Sequence, residues 1–219
     1  MKKFIVPILL LGMLGGQAQA QGKKGGKPTA GAAQTESATT GLAIGSRIPL
    51  SGIMLMGVDG KPTNLMQAKT DKGLLVMFSC NTCPFVIKAQ PRTNSAIMIA
   101  TKLGIGMVII NSNEAQRDSL DSRNAMLRYA TEQAYKVPYV TDDMSQLANA
   151  FSATRTPEVF LFDGEGKLVY KGAMEDNPAD PTKSTRTYLD DAMRALTTNS
   201  KISPAETKSI GCSIKRRDS

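Results

Sequence analysis

The sequence predicts an α/β fold in which helices flank a central mixed β-sheet, and three observations lead to it. The apolar runs Leu74–Phe78 and Met107–Ile110 are typical of strands buried on both faces. A helix-like stretch separates them, so the two strands should be parallel in a right-handed β-α-β unit. Glu158–Phe162 and Lys167–Lys171 flank the turn sequence DGEG and therefore predict an antiparallel hairpin. A chain of 219 residues that is 41% apolar can bury such a core.

The first element is an N-terminal export signal. Lys2 and Lys3 precede an apolar run, Phe4–Leu14, which is shorter than the ~20 residues that span a bilayer. Ala18-Gln19-Ala20 is an A-x-A cleavage site. We therefore expect residues 1–20 to be a cleaved signal peptide, with no stable membrane insertion. The mature protein should be periplasmic or secreted, where thiol pairs can be oxidised.

A linker and a single folded domain follow the signal. Residues 21–41 are small and polar and predict a flexible linker, whereas residues 42–219 have the pattern of one domain. The remaining elements predicted in that domain are, in order, a strand or strand pair at Pro49–Met56 with a turn at Asp59-Gly60-Lys61, a helix from about Cys83 to Leu103 kinked at Pro91, a helix at about Ala115–Tyr135, a strand at Val137–Val140, a helix from Asp142 or Asp143 to about Phe151, a helix at Thr182–Leu196, and an irregular basic tail.

Composition excludes several classes of function. The chain has no histidine, which rules out a Ser-His-Asp triad, a Cys-His dyad and any His-ligated metal. Its three cysteines cannot complete a four-ligand zinc site, so we expect no metal and no cofactor. The net charge of +8 is not gathered into a Lys/Arg stripe with aromatic residues, so we expect no nucleic-acid partner.

The cysteine pair Cys80 and Cys83 is the motif that carries chemistry. It lies between a buried strand and a helix, a position that favours a redox role over an inert disulfide or a metal half-site. Free N–H groups and the helix dipole should favour the thiolate of the first cysteine. We expect Cys80 to be an exposed nucleophile, and the more deeply placed Cys83 to resolve its mixed disulfide by closing a Cys80–Cys83 ring.

Several motifs together resemble the thioredoxin superfamily, in particular its redoxin and peroxiredoxin-like branch. The segment Phe78–Val86 (FSCNTCPFV) looks like that branch's F-x-C-N-x-C-P-aromatic-V signature, although Thr82 stands where histidine is usual. Further segments match in the same order along the chain: Ile110–Asn113, Thr156-Pro157, Phe160–Asp163 and Gly211–Lys215. The resemblance implies a thioredoxin-like fold.

The resemblance also implies a substrate site. In this fold the position of Pro157 holds a cis-proline beside the cysteine pair, so Thr156 and Pro157 should bind a substrate strand through backbone pairing. The substrate would be a cysteine-containing protein or a small thiol or disulfide. The peroxidase signature P-x-x-x-T-x-x-C is absent, because Gly73 and Met77 occupy its Pro and Thr positions before Cys80.

Cys212 is the leftover thiol, and its role is open. It can be a small buried residue that packs the tail, an intermolecular link, or a third redox or structural thiol near the site. Together these observations predict an exported thiol–disulfide oxidoreductase. The alternatives are a peroxiredoxin-like thiol peroxidase and a redox-inert binding domain with a structural disulfide.

Overall fold

The computed structural model describes residues 41–217, so the expected signal peptide and residues 21–40 of the expected linker lie outside the described residues. The strands are β1 (Leu55–Met56), β2 (Pro62–Thr63), β3 (Leu74–Ser79), β4 (Gly106–Asn111), β5 (Tyr139–Thr141), β6 (Arg155–Thr156), β7 (Glu158–Phe162), β8 (Leu168–Gly172) and β9 (Cys212–Ser213). The helices are α1 (Leu65–Ala68), α2 (Pro84–Lys88), α3 (Gln90–Leu103), α4 (Arg123–Glu132), α5 (Gln146–Phe151) and α6 (Tyr188–Thr197). Within this part of the chain, no helix has the length and apolar character needed to cross a membrane.

A five-stranded mixed sheet forms the centre, in the order β5-β4-β3-β7-β8. Strands β3 and β4 are parallel, as the β-α-β pattern predicts, and they run in register from Leu74 opposite Gly106 to Ser79 opposite Asn111. Strand β7 pairs antiparallel with both β3 and β8, which confirms the hairpin. The expected mixed sheet flanked by helices, the thioredoxin-like fold, is therefore confirmed.

Side chains of β3 alternate between two apolar layers. Leu75 and Met77 pack on one face against residues of α3 and α6, and Leu74, Val76 and Phe78 pack on the other against residues of α5. All five are fully buried. A strand that is covered on both faces needs apolar residues at every position, which explains the continuous run in the sequence. The end of β3 is consequently held rigidly, and the cysteine pair follows it directly.

The helices after the cysteine pair follow the expected kink. The stretch predicted as one helix divides at Ala89 into α2 and α3, and Pro91 lies in the first turn of α3, where its missing N–H costs nothing. The helix expected at 115–135 is shorter, because a 3₁₀ turn at Glu114–Gln116 and a loop precede α4.

The last helix begins later than the sequence predicts. It was expected from Thr182, but α6 begins at Tyr188. The carboxylate of Asp176 accepts hydrogen bonds from the hydroxyl groups of Ser184 and Thr185 and from the Thr185 amide. These side-chain contacts compete with helical hydrogen bonds and hold the segment before α6 outside the helix.

The C-terminal tail is not irregular throughout. Cys212 and Ser213 form β9, which pairs antiparallel with β6. Ile214 is buried, and its amide donates to the Thr154 carbonyl oxygen at 3.1 Å. The tail therefore returns to the carboxyl end of β3, next to the residues that follow that strand.

Candidate active site

Cys80 and Cys83 lie at the junction between β3 and α2. Cys80 directly follows the buried strand, and Cys83 is the N-cap residue of α2, with Pro84 in the first turn. The side chains are 1% and 4% exposed, respectively, so the expectation of an exposed Cys80 is wrong. Thr156 packs over both sulfur atoms, and the exposed residues of this loop are Thr82 and Pro84 instead.

The disulfide in the structure joins Cys83 to Cys212, with 6.0 Å between their Cα atoms. The expected Cys80–Cys83 ring is therefore not the pairing observed, and Cys80 is a free thiol. The pairing of β6 with β9 explains this outcome. It sets Cys212 opposite Thr156, whose carbonyl oxygen lies 3.3 Å from Cys83 Sγ. Among the open roles for Cys212, the structure thus gives an intramolecular disulfide.

Thr156 and Pro157 lie beside the cysteines, as the resemblance implies. The Thr156–Pro157 peptide bond is cis. The Thr156 side chain is buried, and its Oγ1 is 3.5 Å from Cys80 Sγ. Thr156 therefore adjoins all three cysteines: its hydroxyl contacts Cys80, its carbonyl oxygen contacts Cys83, and it pairs with Cys212 across β6 and β9.

Burial controls the ionisation of Cys80. It raises the pKa of the thiol above its ordinary value, and the negative charge of Asp121 acts in the same direction. Hydrogen bonds with the Thr156 hydroxyl and with the backbone of Cys83 and Thr82 lower the pKa but do not offset the burial. The expected thiolate-favouring environment is thus wrong for this state, because desolvation outweighs the local donors.

A first prediction follows from this raised pKa. In the oxidised protein, the rate of Cys80 alkylation by iodoacetamide should be slower at pH 7 than that of an exposed model thiol. It should still be rising at pH values above the ordinary thiol pKa, because only the thiolate reacts. Mass mapping of the modified peptide at a series of pH values measures the rate. A plateau below pH 8 would contradict a raised pKa.

Asp121 is a site residue that the sequence reasoning missed. Its carboxylate is fully buried and accepts hydrogen bonds from the backbone N–H of Asn81 at 3.0 Å and from the side-chain Nδ2 atoms of Asn111 at 2.8 Å and Asn113 at 2.9 Å. Asn81 lies between the two cysteines of the motif. Asn113 Oδ1 accepts from the amide of Lys215 in the tail at 2.8 Å. Asp121 therefore connects the cysteine loop to the C-terminal tail through one buried carboxylate.

The polar segment after β4 was the available signal for this network. Asn111 and Asn113 are both part of the motif Ile110–Asn113, and each is buried with its amide directed at Asp121. Polar residues directly after a buried strand indicate that the strand end meets other polar groups. Nothing in the sequence around Asp121 indicates which acidic residue they meet.

A cluster of tyrosines borders the cysteines. Tyr129 packs against the Cys80, Cys83 and Val86 cluster, and its hydroxyl donates to Gln90 Oε1 at 2.9 Å. The Tyr139 hydroxyl donates to Asn81 Oδ1 at 2.9 Å. Burial is the largest cause of a raised pKa for both tyrosines. The pKa of Tyr129 is raised to about 12, and that of Tyr139 is raised well above the ordinary tyrosine value.

A second prediction concerns stability at alkaline pH. A tyrosine whose pKa is raised by folding contributes stability that is present below the unfolded-state pKa of ~10 and is lost as the pH rises toward the folded-state value. The free energy of unfolding should therefore change little between about pH 7 and 8 and fall steeply above ~10, by up to ~1.4 kcal/mol per pH unit for each group. Urea titrations across this range measure it. A flat profile to pH 12 would contradict the burial of these hydroxyls.

No group of three or more His, Cys, Asp or Glu side chains within residues 41–217 is arranged to hold a metal ion. The site itself contains the Cys80 thiol, the Cys83–Cys212 disulfide and the Thr156 hydroxyl. A thiol next to a disulfide can exchange disulfide bonds with it, and Thr156 contacts both groups.

Comparisons with known proteins agree with this fold. The model of the Redoxin family matches residues 43–189. A hypothetical protein of Sinorhizobium meliloti 1021 is 29% identical, with a TM-score of 0.74, and the match covers 81% of this chain and 97% of that one. An uncharacterized conserved protein of Geobacillus kaustophilus is 32% identical, with a TM-score of 0.71 and coverage of 81% and 94%. No curated protein matches the chain.

A more distant structure shares the fold. The peroxidoxin BcpB of Mycobacterium tuberculosis is 15% identical, with a TM-score of 0.53, and the match covers 71% of this chain and 96% of that one. At this identity the likeness extends to the arrangement of strands and helices.

Proposed function

This chain belongs to the Redoxin family, and on that premise we propose that it is a thiol–disulfide oxidoreductase acting on cysteine-containing polypeptides or small disulfides. The observation that carries the proposal is the convergence of the buried Cys80 and Cys83 with the partly buried Cys212 beside the cis Thr156–Pro157 bond. A free thiol next to a disulfide is the arrangement that thiol–disulfide exchange requires.

The proposed reaction starts from the reduced protein. The Cys80 thiolate attacks one sulfur of the substrate disulfide, and the other substrate sulfur leaves as a thiolate. Cys83 then attacks Cys80 Sγ, the substrate leaves as its second thiol, and a Cys80–Cys83 disulfide remains. Two electrons have passed to the substrate. The Thr156 hydroxyl, 3.5 Å from Cys80 Sγ, and the backbone N–H groups of Thr82 and Cys83 stabilise the attacking thiolate.

The substrate-binding surface is proposed at Thr156 and Pro157. In the structure β6 pairs with β9, and a substrate strand would pair with the same backbone groups of β6, which gives affinity without reading the substrate sequence. A small concavity beside Pro157 is lined by Ala89, Met174, Glu175 and Ile210, among others.

Export belongs to the same proposal. The N-terminal pattern of Lys2-Lys3, an apolar run and the Ala18-Gln19-Ala20 site supports a periplasmic or secreted protein. A disulfide in the folded domain suits such a compartment. N-terminal sequencing of the protein recovered from an exporting cell should find Gln21 as the first residue, and an intact Met1 would contradict export.

A third prediction separates disulfide exchange from peroxidase activity. The second-order rate constant of the reduced protein with a small mixed disulfide should exceed that with hydrogen peroxide. Gly73 and Met77 occupy the peroxidase positions, and Met77 is fully buried in β3. Arg155 is exposed, and its guanidinium donates a hydrogen bond to the Gly211 carbonyl oxygen at 3.5 Å.

Stopped-flow measurement of both rates on the same reduced sample provides the test. Slow oxidation of Cys80 by peroxide to a sulfenic acid is ordinary thiol chemistry and is compatible with the proposal. A peroxide rate several orders of magnitude above that of a free thiolate, abolished by Cys80→Ser, would replace the proposal with the peroxidase. Lack of reaction with either substrate would favour a redox-inert binding domain.

A further inference from the structure

The C-terminal tail occupies the edge where a substrate strand is proposed to bind. Strand β9 pairs antiparallel with β6, so that Cys212 lies opposite Thr156 and Ser213 opposite Arg155. Thr156 is the residue directly before Pro157. The chain thus presents one of its own cysteines to the site, in an extended segment and on the proposed substrate edge.

The approach of the tail is unusually close at Gly211. A Cβ atom added there would overlap the Thr156 carbonyl oxygen and would lie 2.8 Å from its carbonyl carbon and 3.3 Å from the Pro157 nitrogen. These neighbours are backbone atoms and cannot move aside cheaply. The residue before the cysteine must therefore be glycine for the strand to reach this edge.

The rest of the tail is fixed by specific contacts. The Lys215 amide donates to Asn113 Oδ1 at 2.8 Å, and the Lys215 carbonyl oxygen accepts from the Ala115 amide at 2.9 Å. Ile214 is buried. These contacts lie on the far side of Cys212 from Gly211, so the cysteine is held from both sides against Cys83.

We propose that Cys212 is a third redox-active cysteine and that residues 211–215 act as an internal substrate strand. A cysteine-containing polypeptide whose cysteine follows a glycine would take the place of this strand on β6. The Cys80 thiolate attacks Cys83 Sγ, the Cys83–Cys212 bond breaks, and a Cys80–Cys83 bond forms. Cys212 leaves as a thiolate and takes up the proton that Cys80 released, so the exchange involves no net oxidation. The inference rests on the proposed function, because it uses the same Cys80 nucleophile.

This exchange gives the site two oxidised forms. In the form observed here, the disulfide joins Cys83 to Cys212 of the tail, and Cys80 is a buried free thiol. In the other form Cys212 is free, and the tail is held by noncovalent contacts, which include the pairing with β6, the hydrogen bonds of Lys215 and the burial of Ile214. A substrate strand then competes with the tail for the edge at Thr156.

Tryptic mapping distinguishes the two forms. Cleavage after Lys72 and Lys88 places Cys80 and Cys83 on one peptide, residues 73–88, and cleavage after Lys208 and Lys215 places Cys212 on residues 209–215. The observed form gives the two peptides linked. The exchanged form gives an internal disulfide in peptide 73–88 and a free thiol in peptide 209–215.

The experiment labels oxidised wild-type protein with N-ethylmaleimide at a series of pH values and two protein concentrations. Label should appear on peptide 209–215, increase with pH and be independent of concentration. Cys80→Ser should lose this label completely. Gly211→Ala should increase it, because the tail can no longer dock, whereas Gly52→Ala should match wild type, since nothing lies within 4 Å of the Gly52 position.

The inference is overturned if peptide 209–215 stays linked at every pH at which the protein is folded, or if Cys80→Ser is labelled there as wild type is. Turnover of a small disulfide separates this failure from that of the proposed function. If only the exchange fails, wild type and Cys212→Ser both reduce the disulfide through Cys80 and Cys83. If the proposed function fails, neither does.

Discussion

Replacing Cys80 by serine is expected to reduce the rate of catalysed disulfide reduction to that of the protein-free reaction. Serine has no sulfur to form the mixed disulfide, and its hydroxyl is not ionised at neutral pH. The variant should fold, because it retains the Cys83–Cys212 disulfide and the hydroxyl is close in size to the thiol. Glutathione-coupled reduction of a small disulfide measures the rate.

Met98→Ser is the matched control for this variant. It also replaces a sulfur-containing side chain by serine, but Met98 lies on α3 and is 64% exposed. Its rate should equal that of wild type. A Cys80→Ser protein that retains a substantial part of the wild-type rate would contradict the role of Cys80 and would direct attention to Cys83 or Cys212 as the attacking thiol.

The second large effect is expected at Asp121. Asp121→Asn should lower the free energy of unfolding by about 2–3 kcal/mol. The substitution replaces a carboxylate oxygen, which accepts hydrogen bonds, by an NH₂ group that can only donate and therefore faces a buried donor. Three buried hydrogen bonds, from Asn81, Asn111 and Asn113, converge on the carboxylate. Urea unfolding followed by circular dichroism measures the change.

Asp118→Asn provides the comparison for Asp121→Asn. The Asp118 side chain is 88% exposed and forms a surface ion pair with Arg217 at 2.9 Å. Such pairs contribute about 0–1 kcal/mol, so this variant should unfold close to the wild-type midpoint. Equal effects of the two substitutions would show that the buried carboxylate does not organise the cysteine loop.

The central strands could be predicted because their signal is local. Every position of Leu74–Phe78 is buried, and the same holds for Met107–Ile110, so the burial of both faces appears directly as continuous apolar runs. The hairpin of β7 and β8 was likewise indicated by its own turn residues. The proximity of Thr156 to Cys80 was available only through resemblance, since 76 residues separate them.

The disulfide partner of Cys83 could not be predicted, because it depends on the pairing of two strands, β6 and β9, that are each only two residues long. Cys212 lies 129 positions after Cys83 in the sequence, and only the register of β6 with β9 brings the two cysteines together. A strand of two residues leaves no periodic pattern in the sequence. The ionisation of Cys80 was mispredicted for the same reason, since the covering of the thiol is a tertiary effect.

The most direct test of the central claim is to trap the mixed disulfide in Cys83→Ser. With the resolving thiol removed, the reduced variant treated with glutathione disulfide should accumulate a stable adduct on the tryptic peptide of residues 73–88, in which Cys80 is then the sole cysteine. Wild type should pass through this adduct without accumulating it, because Cys83 resolves it. An adduct confined to Cys212 on peptide 209–215, or an equally stable adduct on Cys80 in wild type, would contradict the account.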